Sequence, residues 1–301
     1  MSDYHIPVLL DESIEGLNID INKKQVFVDL TYGGGSHTKR ILDLIGKESV
    51  VYAFDQDLDA LNNTINDDRL VLVHSNYRYF QKFLRLYGVD KVDGVLADLG
   101  VSSFQFDQEE RGFSYRSDQS LDMRMNREQS FQASDILNNY SEEELVGIFS
   151  AYGEIRNSKQ LAKRILDCRQ KKRFLTSFDL TDCIDSVVMG NKIKYYSQLF
   201  QALRIEVNDE INALSEMLHN IYIVLKTGGR MSVISYHSLE DRLVKNVIKT
   251  GNTEGRVLRD EFGHIERKFI DENKGVVVAN EIEVRKNPRA RSAKLRIATK
   301  I

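Results

Sequence analysis

The chain has no tryptophan, two prolines, two cysteines and six histidines in 301 residues. No run of about 18 apolar residues is present, which excludes a candidate membrane-spanning helix. The opening MSDYHIPVLLDE lacks the form of a signal peptide, so a cytoplasmic location is expected. Cys168 and Cys183 have neither CxxC nor metal-ligand spacing and are expected to be ordinary thiols in a reducing compartment. His74, His219 and His264 are scattered, so no metal site is expected. Without tryptophan, ligand binding must be followed through tyrosine fluorescence or heat. There is no internal repeat and no low-complexity tract.

What is present suits a soluble globular protein with a sizeable core: 42% hydrophobic and 29% charged residues. The net charge of −3 conceals segregation. Seven Lys/Arg and no acid lie between Arg285 and Lys300, and eight lie between Arg156 and Arg173 against the single acid Asp167. One such run is commonly a solvated face. Two on a mildly acidic chain point to a polyanion held at particular surfaces.

The first hundred residues alternate. Apolar runs at 26–30, 50–55, 70–75 and 92–100 read as buried strands, with helix-period segments near 36–46, 57–66 and 77–87 between them. That spacing argues for a parallel, doubly wound sheet. From about 105 to 200 the strands vanish and helices follow one another, at 141–149 with a Ser141/Glu144 capping box, at 157–169 and at 176–188. The alternation then resumes with a long helix over 206–229 ended by a glycine pair, a fifth strand at 230–238, a helix at 239–248 and a terminal strand near 293–300. The expected organisation is a core of 1–104 and 201–301 around a helical insert of 105–200.

The first strand runs into DLTYGGGSH. Gly33, Gly34 and Gly35, between a strand and a helix, allow a backbone to approach a ligand closely. Asp55, at the end of the second strand, is placed to meet the hydroxyls of a ribose. Together they describe an adenosine-containing cofactor. A dinucleotide fingerprint needs a third glycine where Thr38 stands, which weakens a nicotinamide reading. Asp29, four residues before Gly33, gives instead a D-x-x-x-G-x-G arrangement resembling motif I of class I S-adenosylmethionine-dependent methyltransferases. Asp98 ends the fourth strand in ADLGVSSFQFD.

Longer blocks make the resemblance specific. HIPVLLDE (5–12), DLTYGGGSHTKRIL (29–42), ADLGVSSFQFDQEERGFSYRSDQSLDMRMN (97–126), FQALRIEVNDEI (200–211), GGRMSVISYHSLEDRLVK (228–245) and NPRARSAKLRIA (287–298) occur in order and include both prolines, Pro7 and Pro288. Over nearly its whole length the chain resembles the MraW-like family, the 16S ribosomal RNA cytosine-N4 methyltransferases. The resemblance implies a Rossmann-like class I methyltransferase core with an inserted all-helical domain for RNA recognition. It implies S-adenosylmethionine as methyl donor and a cytosine in the decoding region of 16S rRNA, in the small ribosomal subunit, as acceptor. By motif, Gly35, Ser36 and His37 would touch the cofactor in the loop with Asp55 at the ribose, and Tyr77, Asp98 and Gln105 would complete its adenine and methionine ends. The chain departs from the family's pattern at Ser36, usually a second glycine, and at Tyr77, usually phenylalanine. Its YYSQL (195–199) replaces an H-P-A-T-like stretch, and SLDMRM lacks the usual preceding proline.

An exocyclic amine has its lone pair delocalised into the ring, so its hydrogens must be accepted and its nitrogen aligned before it can attack; positioning of this kind is worth up to roughly 7–11 kcal/mol. Amino methyltransferases use D/N/S-P-P-Y/F after the fourth strand, of which DLGV shares only the acid. Asp98 is therefore a candidate to contact the cofactor, to receive the amine, or both. Ser102, His237 and Ser238 are candidates for the cytosine pocket, His237 equally for structural packing, and Arg289 and Arg291 for phosphate contacts. The rival readings are a nicotinamide-dependent oxidoreductase, a non-catalytic RNA-binding protein that kept the fold, and a methylase of DNA or free cytosine nucleotides.

Overall fold

The computed structural model describes residues 7–102, 105–106, 108–259, 261–263 and 267–301. The start of HIPVLLDE, part of SSFQFD and His264 lie outside the described residues. The chain divides into two units, one of residues 1–100 with 211–301 and one of residues 101–210.

The first unit is built on a seven-stranded sheet: β1 (Val26–Asp29), β2 (Val50–Asp55), β3 (Leu70–His74), β4 (Val92–Asp98), β5 (Leu225–Ser235), β6 (Phe269–Asp271) and β7 (Lys294–Lys300). Their order is β3-β2-β1-β4-β5-β7-β6. β1 to β5 pair in parallel, and β7 runs antiparallel to both β5 and β6. Side chains alternate between two covered faces. Phe27, Val51 and Leu96 pack with Ile14, Leu17 and Ile41 on one side, whereas Val28, Tyr52 and Val95 pack with Leu214, Met217 and Ile221 on the other. That two-sided burial is why the strands read as unbroken apolar runs. Each fully buried side chain of this kind contributes roughly 1.5–3 kcal/mol. The mostly parallel sheet between helical layers is the α/β, Rossmann-like core the alternation implied.

Two details differ from expectation. The helix expected over 206–229 does not run through. Helices Lys192–Asn208 and Glu210–Val224 meet at Asp209, whose φ of +50° is one that aspartate tolerates better than most residues. The break expected at 200/201 thus falls inside a helix, and the unit boundary lies at 210/211. The glycine pair does not cap that helix either. The chain has already entered β5 at Leu225, and Gly228 (φ +80°) sits where the β4–β5 register shifts. β6, of three residues, is too short to show a period in sequence.

The second unit is helical: Ala133–Asn139, Glu142–Ala151, Ser158–Arg169, Ser177–Ile184 and Lys192–Asn208 surround a core that includes Leu137, Phe149, Leu161, Ile165 and Leu203. Ser141/Glu144 and Thr176/Asp179 form reciprocal capping boxes that start two of these helices. The helix-free LDMRM block is held from within. Arg111, 1% exposed, donates to the carbonyls of Arg124 and Met125, and Asn208 bridges Met125 N–H and the Met123 carbonyl.

Cys168 and Cys183 are joined in a disulfide between helices Ser158–Arg169 and Ser177–Ile184, which corrects the expectation of separate thiols. Their spacing carries no motif, and only the helical hairpin brings them together. Thiol titration in denaturant should find none before reduction and two after. Closing a loop of this length is worth about 3 kcal/mol, so reduction should lower the helical unit's unfolding midpoint. Two titratable thiols without reductant would refute the pairing.

Candidate active site

The carboxyl ends of β1, β2 and β4 lie where the strand order reverses, the position at which parallel sheets open a crevice for ligands. Asp29 ends β1 and is 0% exposed. One of its oxygens accepts the Thr31 N–H (3.1 Å) and the other the Thr38 hydroxyl (2.6 Å), so it anchors both ends of the glycine loop. Burial holds its carboxyl above the usual range. Gly35, at φ +75°, caps helix Ser36–Leu44. A Cβ there would lie 2.8 Å from the Tyr32 hydroxyl and 3.2 Å from Ile65, so only glycine fits. Tyr32 is itself fixed through its hydroxyl to the Asn63 carbonyl.

Asp55 closes the loop from the β2 side. Its Oδ2 accepts the Gly33 N–H (2.8 Å) and its Oδ1 the Asp57 N–H (2.9 Å). Burial raises its pKa to about 6 against the pull of those two donors. Asp98, at the tip of β4, is tied by its own N–H to Thr31 Oγ1 at 2.7 Å. Its Oδ1 accepts the Tyr236 hydroxyl at 2.7 Å. Burial foremost, with Asp29 and Glu240, raises it to about 6, while the charge of His37 and the Tyr236 hydrogen bond hold it down. The Tyr236 hydroxyl is in turn pushed well above 10 by burial and by Asp98. Three carboxylates thus stand at neighbouring strand tips, and burial raises two of them to about 6.

A family model described as the MraW methylase family matches residues 2–301. The chain belongs to the MraW methylase family. The "Ribosomal RNA small subunit methyltransferase H" of Phocaeicola vulgatus is 50% identical over 298 residues, covering 99% of this chain and 97% of the relative. Its namesake in Christiangramia forsetii is 47% identical over 302 residues, covering 100% and 99%. Among solved structures, an rRNA methylase from Streptococcus thermophilus aligns over 99% of both chains with a TM-score of 0.45 and 13% identity, too distant to carry an argument.

The crevice of this MraW methylase fits an adenosine-bearing methyl donor. It offers a loop backbone open only to glycine at Gly35, a strand-tip carboxylate at Asp55, and the half-buried ring of Tyr77 at the start of a 3-10 turn after β3. Ser36 is the first residue of the helix that follows the loop. His37 is 6% exposed with Nε2 3.2 Å from the Val8 carbonyl, so it offers the loop its backbone rather than its ring. Gly34 is exposed. Gln105 and Ser102 belong to the second unit, where each side chain accepts the other's backbone N–H, at 3.0 and 3.1 Å.

His237 has a structural contact in its own helix. It caps helix Ser238–Thr250, with Nδ1 accepting the Glu240 N–H (3.4 Å) and its own N–H donating to Glu240 Oε2 (3.3 Å). Its Nε2 lies 3.1 Å from Glu240 Oε1 without hydrogen-bond alignment. Ser238 is the exposed first residue of that helix. Tyr236, Thr31 and Glu240 went unnoticed in sequence. The sole signal for Tyr236 was its place between the β5 tip and His237.

The basic stretches are less free than their composition implied. Arg296 and Lys294 pair with Asp241 (2.7 and 3.4 Å), and Lys300 donates to the carbonyls of Tyr222 and Leu225. Arg285, Lys286, Arg289 and Arg291 are exposed. In the other stretch, Arg164 and Arg169 donate to the Cys183 and Tyr140 carbonyls, whereas Arg156, Lys159, Lys163, Lys171 and Arg173 face solvent.

Proposed function

We propose that this methylase transfers a methyl group from S-adenosylmethionine to the N4 amine of a cytosine in the decoding region of small-subunit rRNA. The reading rests most on the strand-tip constellation of the Gly35 cradle, Asp55 and Asp98. When bound, the donor supplies a methyl group made electrophilic by its sulfonium. The loop N–H groups and the Ser36 N–H are assigned to its methionine end, Asp55 to the ribose hydroxyls and Tyr77 to the adenine face.

Asp98 is assigned to the amine. Tyr236 occupies Oδ1, which fixes the carboxylate's plane and leaves Oδ2 to accept an N4–H. That hydrogen bond turns the nitrogen lone pair out of conjugation and toward the methyl group. Methyl transfer to N4, with the thioether as leaving group, would require N4 to shed a proton. A carboxylate with raised proton affinity is suited to take it. His237 and Ser238 remain candidates beside the base, and the helical unit is assigned to RNA recognition. Metal ions have no part in this scheme, and the protein is expected to act in the cytoplasm.

The decisive experiment supplies labelled donor and small subunits lacking the modification, then maps the methylated base. Label in a cytosine N4 supports the reading, and no transfer to any rRNA overturns it. Arg289 and Arg291 follow Pro288 on an exposed 3-10 turn before β7 and are assigned to phosphates. Replacing both with alanine should weaken RNA binding and reduce the salt slope by about 2, one per lost phosphate contact. An unchanged slope, measured by titration at several salt concentrations, would remove them from the interface.

A further inference from the structure

Within the helical unit lies a cleft of about 500 Å³ that the reaction does not use, lined by Tyr115, Phe178, Thr181, Asp182, Asp185, Lys192, Ile193 and Tyr196. Phe178, Thr181, Asp182 and Asp185 recur at helical spacing along Ser177–Ile184 and the turn that follows, so they share one face. Lys192, Ile193 and Tyr196 come from the first turns of Lys192–Asn208. Tyr196 belongs to the YYSQL stretch, where this chain departs from its family's usual sequence. Tyr115 and Tyr196 meet edge to face at 5.7 Å and leave Phe178 (42% exposed) and Ile193 (67% exposed) as open apolar walls.

The charges say what such a cleft can receive. Asp185 is ion-paired to Lys192, whose ammonium also lies 5.6 Å from the Tyr196 ring centre. Asp182 is exposed and makes no hydrogen bond or ion pair among the described residues. The lining therefore carries one carboxylate more than its own cation neutralises, and one of its rings already holds a cation. A nucleic-acid backbone is repelled by that surplus. A planar guanidinium is suited to it, because it can stack on aromatic faces while its N–H fork meets carboxylates.

We propose that this cleft binds an arginine side chain presented by a basic segment of a second protein, with Phe178 and Tyr115 flanking the guanidinium and Asp182 accepting its hydrogen bonds. This site is separate from the methyl-transfer chemistry, and its test does not depend on that chemistry.

The test titrates the full chain with an arginine-rich dodecapeptide, its all-lysine counterpart and a single-stranded oligoribonucleotide, read by calorimetry. Phe178→Ala and Asp182→Asn are the variants, both at exposed positions, with circular dichroism to check folding. The arginine peptide should bind more tightly than the lysine peptide. Each variant should weaken the arginine peptide roughly tenfold and leave oligoribonucleotide affinity unchanged. Equal affinity for both peptides, or unaltered arginine-peptide binding in both variants, would overturn the proposal. So would loss of oligoribonucleotide binding in place of peptide binding, which would make the occupant RNA.

Discussion

Asp98→Asn should reduce the methyl-transfer rate roughly 10²–10³-fold, the scale lost when one positioned charge-stabilising group is removed, and it should make the donor-free protein more stable at neutral pH. Both effects have one cause. The Asp98 carboxyl is raised to about 6 from 3.8, chiefly by burial. Between those values the folded chain holds a proton that the unfolded chain has released. Stability therefore falls as pH rises through this window and remains lower at neutrality. Asparagine keeps an acceptor for the Tyr236 hydroxyl but carries no buried charge. A gain of about 1 kcal/mol or more is expected at pH 7.5, vanishing near pH 4. The wild-type rate should decline as pH falls through about 6, because only the carboxylate can accept the amine's hydrogens. Asp55 titrates in the same range, and its own variant separates the two. Asp55→Asn should act mainly on the KM for the donor, and Asp98→Asn mainly on kcat. Stopped methyl-transfer assays and thermal melts across pH read both. A full kcat for Asp98→Asn, or a lower melting temperature at pH 7.5, would remove Asp98 from the role assigned to it.

The sheet was legible in sequence because parallel strands buried on both faces leave continuous apolar runs, and the loops between them carry helix periods. Asp29, Asp55 and Asp98 were legible as acids standing at the ends of such runs. What stayed hidden depends on which groups meet in space. Nothing in a tyrosine beside a histidine announces that Tyr236 will reach the β4 tip, more than a hundred positions away in sequence. The disulfide between Cys168 and Cys183 and the internal pairing of Lys294, Arg296 and Lys300 were hidden for the same reason. Composition counts a cation as available, whereas the fold can turn it inward to a carboxylate or a carbonyl. The helix break at Asp209 is a single backbone choice within a helix-favouring stretch, which periodicity cannot resolve.

The glycine loop yields a graded result, the second large effect. Gly35→Ala should cost about 2–3 kcal/mol of stability and weaken donor binding roughly ten- to hundredfold. Two penalties combine at that position. Its φ of +75° is strained for any residue with a Cβ, and the added methyl would stand 2.8 Å from a Tyr32 hydroxyl fixed by Asn63. Tyr32 cannot yield without losing that bond, and the N–H groups that follow Gly35 would move with it. Gly33→Ala bears the first penalty alone. Its φ is +51°, and the nearest atom to an added methyl is the Thr31 carbonyl oxygen at 3.9 Å, so about 1 kcal/mol is expected. Gly34 is exposed and has no positive φ, and alanine there should stay within about 0.5 kcal/mol. Melting temperatures and calorimetric titration with S-adenosylmethionine give the order directly. If Gly35→Ala binds the donor as the wild type does while Gly34→Ala fails, the cradle lies elsewhere in the loop. The predicted order instead ties donor binding to Gly35, where a β-carbon meets the fixed Tyr32 hydroxyl.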